Sequence, residues 1–350
     1  MSDISAIDKN FYVGSTIDKK GIKFYDATSA PFSIHGLMRS QGMFHRIPID
    51  VAKNVSDGVK RLNYNTAGGR VRFKTDSPYV AVSVKYASLG RMPHFAFCGS
   101  VGLDLYEGTR YVKTFTPTVD PHTELESVIE LGKSRMRDIT INFPLYSSVK
   151  ELYIGLDENS KIEPPEKYSN EKPVVYYGSS ITQGGCASRP GTCYEAYVSR
   201  RFNVDYVNLG FSGNARAEDA IIDYVKGLDM KLFVYDYDHN APTPEYLKET
   251  HEKMFLAVRE ANPSLPIIMM SRPLNKRNRT VADEKRMEII KRTYENAKSR
   301  RDRNVYFLDG DDLTKLCGNE GTVDNCHPTD FGFASMADAL IRLIEAEHLL

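Results

Sequence analysis

The second half of the chain alternates short apolar runs with amphipathic segments, and this alternation constrains the fold more than any other feature. Five apolar runs have the length and composition of strands: 173–177, 204–209, 232–235, 266–270 and 305–308. Segments with helical spacing lie between and after them: 194–202, 217–226, 244–261, 281–300 and 331–348. Such alternation is typical of parallel strands joined by helical crossovers. It predicts an α/β fold, with a doubly wound parallel sheet covered by helices on both faces.

The first half has a different pattern, in which apolar and polar residues alternate in short runs separated by Gly, Pro, Asn and Asp. The clearest of these predicted strands are 71–74, 80–86, 139–143 and 152–156. Since long amphipathic helices are absent from this half, we expect two antiparallel sheets packed as a β-sandwich or jelly roll. The predicted boundaries are a β domain at 1–160, a charged, proline-bearing linker at 161–172 and an α/β domain at 173–350.

Composition excludes several classes of partner. The 350 residues carry 46 Lys and Arg against 46 Asp and Glu, so no net positive field favours nucleic acid or an anionic membrane surface. The apolar runs are far shorter than the roughly 18 residues that a membrane span needs. Five cysteines without a C-x-x-C pair predict free thiols. Met1–Asn10 lacks the features of a secretion signal, which predicts a cytoplasmic protein, although a secreted chain after removal of its signal would look the same.

Polar residues follow three of the predicted parallel strands, at the sheet edge where α/β enzymes hold their substrates. Gly178-Ser179-Ser180 ends the first strand and places a hydroxyl at a sharp turn. A glycine-rich turn with Gly213 ends the second, and its free N–H groups can face a negative oxygen. Asn240 follows the third and offers a side-chain amide. Each of these features, taken alone, also fits a turn with purely structural hydrogen bonds.

Near the C-terminus, Asp324 and His327 stand three residues apart just before the last predicted helix. At this spacing a carboxylate can accept the Nδ1 proton of the imidazole and leave Nε2 free as a general base. The alternative is a loop histidine with structural contacts only. A second group of titratable residues, Asp236, Asp238 and His239, follows the third parallel strand. We assign it no role, because solvated clusters are common at strand ends.

Together these features predict a serine hydrolase. In this prediction Ser180 attacks the substrate, His327 takes and returns its proton, and Asp324 fixes the imidazole tautomer. The N–H groups of Ser180 and Gly213 and the side-chain amide of Asn240 form the predicted oxyanion hole. No nucleotide-binding glycine motif is present in the sequence. The predicted reaction uses no cofactor and no metal ion.

The segments that carry these residues resemble the sequence blocks of the SGNH, or GDSL, hydrolase superfamily. The resemblance covers about residues 173–350 and is carried by four segments: 178–180, 210–214, 238–240 and 324–328. The chain departs from the family pattern at Ser179, where Asp is usual, and at Asp238, where Gly is usual. The resemblance implies a flavodoxin-like catalytic domain with Ser180 as the nucleophile.

Residues Gly102–Tyr106 resemble the Gly-x-Asp-Leu-Tyr signature of a small β domain that precedes some SGNH-type esterases. Many esterases with an added β-sandwich remove acetyl groups from glycans, so the resemblance implies a carbohydrate acetyl esterase of the acetyl xylan or oligosaccharide type. For the signature itself we favour a role in packing the two domains together over sugar recognition. Arg189, which follows the nucleophile loop, is open to a substrate contact or a structural role.

Two other functions remain open from the sequence. One is a short-chain lipase or thioesterase of the GDSL type, and the other is an inactive homologue that only binds carbohydrate. The sequence has no long apolar lid to shelter a fatty chain, which favours a short acyl group on a hydrophilic alcohol. We therefore expect a small-molecule or oligosaccharide ester as the partner. The sequence does not distinguish a monomer from a homo-oligomer.

Overall fold

The computed structural model describes residues 17–350, so Met1–Asn10, which carries the prediction of a cytoplasmic protein, lies outside the described residues. The first half is built mainly from short strands. These are β1 (Ile22–Asp26), β2 (Ser33–His35), β3 (Met38–Ser40), β4 (Met43–His45), β5 (Arg70–Thr75), β6 (Tyr79–Ser88), β7 (Leu103–Glu107), β8 (Arg110–Phe115), β9 (Glu124–Glu130), β10 (Arg137–Asn142), β11 (Ser148–Asp157) and β12 (Ile162–Glu163). Three short helices interrupt them: α1 (Ile49–Val55), α2 (Asp57–Leu62) and α3 (Phe97–Ser100).

These strands form two antiparallel sheets whose inner faces share one core. The first sheet has the order β1-β11-β6-β9, and the second has β12-β5-β10-β7-β8 with β2 beside β5. Val82 and Ile154 of the first sheet belong to the same buried cluster as Phe73 and Ile141 of the second. Alternate residues of each strand face this cluster, as a period of two requires. The prediction of packed antiparallel sheets is confirmed.

The second half is a parallel sheet with helices on both faces. Its elements are β13 (Asn170–Gly178), α4 (Tyr194–Phe202), β14 (Val204–Gly210), α5 (Asp219–Lys226), β15 (Leu232–Asp236), α6 (Pro244–Ala261), β16 (Ile267–Met270), α7 (Val281–Ser299), β17 (Val305–Leu308), α8 (Gly310–Leu313) and α9 (Asp330–Ala346). The strand order is β14-β13-β15-β16-β17, which is the doubly wound flavodoxin-like order. No helix within residues 17–350 has the length and apolar character of a membrane span.

The alternating side chains of β13 show why helices cover both faces of this sheet. Val174 and Tyr176 are buried in one apolar cluster, which α4 and α9 complete. Val175 and Tyr177 are buried in a second cluster, which α5, α6 and α7 complete. A strand that is buried on both faces becomes a continuous apolar run, and that is the pattern from which the fold was predicted. The doubly wound parallel sheet is confirmed.

Two features join the first half to this sheet. Helices α1 and α2 place Ala52, Val59 and Leu62 in the same buried cluster as α5. The segment 161–172, which was predicted to be a linker, contains β12 and the first residues of β13. It is ordered because Ile162 pairs with Thr75 and packs against the sandwich core. The division into domains at 1–160 and 173–350 stays a prediction.

The Gly-x-Asp-Leu-Tyr segment lies where the two halves meet. Asp104, on β7, is fully buried and accepts hydrogen bonds from Asn142 (2.7 Å), Arg189 (3.0 Å) and the Gly191 N–H (2.8 Å). Tyr106 donates to the Gly191 carbonyl at 3.2 Å. The segment therefore fastens the sandwich to the loop that follows Ser180, which agrees with the packing role favoured for it. These contacts also support the structural role for Arg189.

Candidate active site

Three side chains from the carboxyl edge of the parallel sheet form one continuous hydrogen-bonded chain. Ser180 Oγ lies 2.9 Å from His327 Nε2, and His327 Nδ1 lies 2.7 Å from Asp324 Oδ2. The other oxygen of Asp324 accepts the N–H groups of Cys326 (3.1 Å) and His327 (2.7 Å). Partial burial alone would raise the pKa of Asp324, but its hydrogen bonds with His327 bring that pKa below its ordinary value. This carboxylate is therefore held ionised beside the ring.

The two adjacent serines of the first turn have different contacts. Ser179 is fully buried, and its hydroxyl accepts a hydrogen bond from the Ile181 N–H at 3.1 Å. Ser180 is 6% exposed, and its hydroxyl reaches the imidazole of His327. Ser179 therefore stabilises the turn, as a serine after a strand commonly does. Only Ser180 has a proton acceptor that can activate it.

The sharp turn after β13 depends on close packing around Gly178. A Cβ atom at this position would lie 1.7 Å from Asp236 Oδ1 and 2.3 Å from Thr182 Oγ1, so no larger residue fits. Thr182 donates its hydroxyl to Asp236. Burial raises the pKa of Asp236 to about 7, although this hydrogen bond opposes the shift. Asp236 thus stabilises the turn through its hydrogen bond with Thr182. It is not part of the Ser180–His327–Asp324 chain.

The loop after β14 brings Gly213 to the same sheet edge. Gly213 has a φ of 68°, a left-handed conformation that glycine adopts without strain. Neighbouring residues hold the loop: the Ser212 N–H donates to Gln183 at 3.0 Å, and the Phe211 N–H donates to Gly178 at 2.8 Å. Among residues 17–350, neither the Gly213 N–H nor the Ser180 N–H donates to another backbone carbonyl. Both predicted oxyanion donors are therefore left without a backbone acceptor in this part of the chain.

The loop after β15 carries Asn240, whose amide donates to the Phe211 carbonyl at 3.2 Å. One N–H of that amide is thus engaged with the β14 loop, and the other remains for a ligand. Asp238 fixes this loop from within, because it is buried and accepts the Arg272 N–H at 3.0 Å and the His239 N–H at 2.9 Å. Burial lowers the pKa of His239, but Asp238 and Cys326 more than offset this and raise it to about 9. The Asp238–His239 pair is therefore an internal support for the Asn240 loop.

Comparison with family models identifies both halves of the chain. Residues 171–345 match the model of the GDSL-like lipase/acylhydrolase family. The chain belongs to this family. Residues 22–162 match the GxDLY model, which describes the N-terminus of SGNH-hydrolase-type esterases. Membership of this family indicates a carboxylic ester hydrolase, in agreement with the resemblance seen in the sequence.

Several solved structures resemble this GDSL-family chain over most of its length. A Bacteroides ovatus ATCC 8483 protein, assigned as a GDSL-like lipase, is 26% identical, with a TM-score of 0.81 over 93% of this chain and 97% of its own. Salicylyl-acyltransferase SsfX3 from a tetracycline biosynthetic pathway is 19% identical, with a TM-score of 0.76 over 95% and 99%. Acetyl xylan esterase Est2A from Butyrivibrio proteoclasticus is 12% identical, with a TM-score of 0.60 over 94% and 99%. The last two likenesses concern the fold alone. The search of curated proteins finds no match.

Sequence reasoning missed two residues that the first half contributes to the candidate active site of this GDSL-family chain. Tyr146 donates its hydroxyl to the Ser180 carbonyl at 3.2 Å. The ring of His94 lies with its centroid 5.8 Å from that of His327. His94 comes from the loop between β6 and α3, and Tyr146 from the loop between β10 and β11. Neither has a motif around it, so only the packing of the two halves reveals them.

Proposed function

We propose that this chain is a serine esterase that hydrolyses O-acetyl esters on carbohydrates through an acyl-enzyme. The observation that carries the proposal is the unbroken chain from Ser180 Oγ to His327 Nε2 (2.9 Å) and from His327 Nδ1 to Asp324 Oδ2 (2.7 Å). These distances lie within the range over which a positioned base accepts a proton.

The proposed reaction has two steps. In the first, His327 Nε2 takes the Ser180 proton while Oγ bonds to the acetyl carbonyl carbon, and the same proton then passes to the departing sugar oxygen. The products of this step are the free sugar hydroxyl and acetyl-Ser180. In the second, His327 takes a proton from water, the resulting hydroxide attacks the acetyl carbon, and Ser180 Oγ leaves with the proton. Acetic acid is released and loses its remaining proton to solvent to become acetate. Asp324 stabilises the imidazolium formed in each step.

The oxyanion of both tetrahedral intermediates needs donors that are already in place. In the proposal these are the N–H groups of Ser180 and Gly213 and the side-chain amide of Asn240. The first two have no backbone acceptor within residues 17–350, and the third is oriented by its bond to Phe211. Donors held rigidly at such a position stabilise developing charge without having to reorganise.

Replacement of Asn240 by alanine is expected to lower kcat by about 10²- to 10³-fold, equivalent to about 3–4 kcal/mol, because one oxyanion donor is lost. Steady-state hydrolysis of an aryl acetate measures this. Asn304→Ala is the matched control, because the Asn304 side-chain amide also donates to a backbone carbonyl, that of Ser264, at 3.0 Å. Asn304 precedes β17 and therefore lies at the opposite edge of the sheet. A kcat of Asn240→Ala within about threefold of the control would remove Asn240 from the oxyanion hole.

Two observations support the proposed substrate class: the side chains around Ser180 and the similarity of the chain to solved esterase structures. Three polar side chains lie near the hydroxyl or its turn: His327, Tyr146 and the exposed His94. Polar side chains at this position suit a hydrophilic alcohol with a short acyl group better than a fatty chain, which needs an apolar channel. Among the similar structures, one is an acetyl xylan esterase. These observations support an acetylated saccharide.

A substrate panel tests this choice. Acetate release from acetylated oligosaccharides, followed by mass spectrometry, is expected for wild-type protein and not for Ser180→Ala. With aryl esters, turnover is expected to fall from acetyl to butyryl to octanoyl. A rate that rises with chain length would favour the lipase or thioesterase alternative. Glycan binding by calorimetry without any acetate release would favour the inactive binding protein.

A further inference from the structure

Three side chains with possible metal-ligand atoms, one of them the proposed catalytic base, lie close together. They are His94 from the first half, Cys186 from the loop after Ser180, and His327 itself. One ligand atom from each side chain lies within 4.8 Å of the other two. Imidazole nitrogen and thiolate sulfur are the donors that zinc prefers in proteins. We call these three residues the His94–Cys186–His327 cluster.

The backbone holds Cys186 in a conformation that favours glycine. Its φ is 74°, in the left-handed region where residues other than glycine, asparagine and aspartate are uncommon. Adjacent hydrogen bonds close the turn, from the Gly185 N–H to Ser180 (2.8 Å) and from the Ala187 N–H to Gly184 (3.2 Å). Cys186 is only partly buried and packs against the edge of the apolar cluster that α4 and α9 complete. Backbone strain of this kind concentrates at functional sites.

His94 combines a fixed backbone with a movable ring. The next residue, Phe95, is buried and packs edge-on against Tyr146, with ring centroids 5.2 Å apart. Tyr146 in turn contacts Ser180, so the loop of His94 is anchored to the nucleophile turn. The His94 side chain itself is exposed. It can therefore rotate toward a ligand without disturbing the core.

We propose that the His94–Cys186–His327 cluster binds a zinc ion and that the bound ion stops ester hydrolysis. His327 Nδ1 is occupied by Asp324, so Nε2 is the nitrogen left for the metal. That same nitrogen is the proton acceptor of Ser180, and it cannot serve both. Asp324 would then support the metal ligand through the ring, as carboxylates commonly do behind zinc-bound histidines.

The coordination chemistry needs only small movements. With bonds of about 2.0–2.3 Å, ligand atoms around tetrahedral zinc are roughly 3.3–3.8 Å apart, so the three side chains must approach by about 1 Å. The Cys186 thiol loses its proton to solvent as the Zn–S bond forms. Three protein ligands leave the fourth position to water. Zinc binding does not depend on the proposed function, whereas the inhibition does.

Metal binding is tested directly, without an activity assay. Wild-type protein with reduced thiols is equilibrated with Zn²⁺, dialysed and analysed for metal, and Co²⁺ is used in parallel because cobalt–thiolate ligation gives a near-ultraviolet charge-transfer band. One ion per chain and this band are expected for the wild type. Cys186→Ser should lose the band, and both Cys186→Ser and His94→Ala should bind zinc at least tenfold more weakly. Cys98→Ser, which removes another partly buried thiol, is the matched control and should behave as the wild type.

Inhibition is tested by measuring the rate of aryl acetate hydrolysis with zinc, and the rate of each variant is divided by the rate of the same variant without zinc. The zinc concentration for half-inhibition of aryl acetate hydrolysis should rise at least tenfold in Cys186→Ser and His94→Ala but not in Cys98→Ser. A chelator should restore the wild-type rate. Equal zinc affinity in Cys186→Ser and wild type would overturn the site. Stoichiometric zinc with unchanged turnover would overturn the inhibition, and an inactive wild-type protein that still binds zinc would overturn the esterase proposal alone.

Discussion

Replacing Ser180 with alanine is expected to reduce ester hydrolysis by at least about 10⁴-fold while leaving the fold intact. The reason is that no acyl-enzyme can form without the Ser180 hydroxyl, which lies 2.9 Å from His327 and is the only hydroxyl of the turn so placed. Removal of the nucleophile from a serine triad leaves only the rate contributed by the oxyanion hole and by binding. The measurement is kcat/KM for an aryl acetate, together with a thermal unfolding curve.

Ser179→Ala provides a control on the adjacent residue. It removes a hydrogen bond to the Ile181 N–H, which we expect to cost about 1 kcal/mol of stability and less than about tenfold in activity. If folded Ser179→Ala were as inactive as folded Ser180→Ala, activity would depend on the structure of the turn and not on Ser180 as the nucleophile. Near-normal turnover of folded Ser180→Ala would overturn the proposed mechanism.

The architecture of the second half could be predicted because its local signals agree with its packing. The parallel strands are buried on both faces, so each is an apolar run in the sequence. Ser180 and His327 are 147 residues apart. Ser180 lies just after β13 and His327 lies just before α9, and the sequence pattern shows both placements. The start of α5 was predicted at Ala217 and lies at Asp219. Ala217 has a φ of 54° and donates its N–H to Tyr177, a contact that no local pattern contains.

What could not be predicted depends on contacts between the two halves. Arg46 is almost fully buried and donates to carbonyls of Gly210 and Leu62, with its guanidinium over the ring of Phe211 at 4.5 Å. It fixes the loop that carries Gly213, but as a single arginine between β4 and α1 it has no distinguishing neighbours. The same holds for His94. Residues of this kind act through geometry that only a folded chain supplies.

Asp324→Asn is expected to lower kcat by about 10⁴-fold with little change in stability. The asparagine carbonyl can still accept the N–H groups of Cys326 and His327, so the bend is preserved. Its NH2 group would then face His327 Nδ1, which must become an acceptor, and the ring proton moves to Nε2. In that tautomer Nε2 donates to Ser180 and cannot take its proton.

Nitrogen NMR of the imidazole separates this effect from a loss of structure, because the variant should show protonated Nε2 where the wild type shows protonated Nδ1. Asp223→Asn is the control, since Asp223 is exposed and pairs with Lys226 on the surface of α5; it should leave both the tautomer and the rate unchanged. Activity of Asp324→Asn within about tenfold of this control would mean that the carboxylate does not set the tautomer. In that case the orienting contact for His327 would have to come from another neighbour, and Asp324 would serve only to close the bend through the two N–H groups that it accepts.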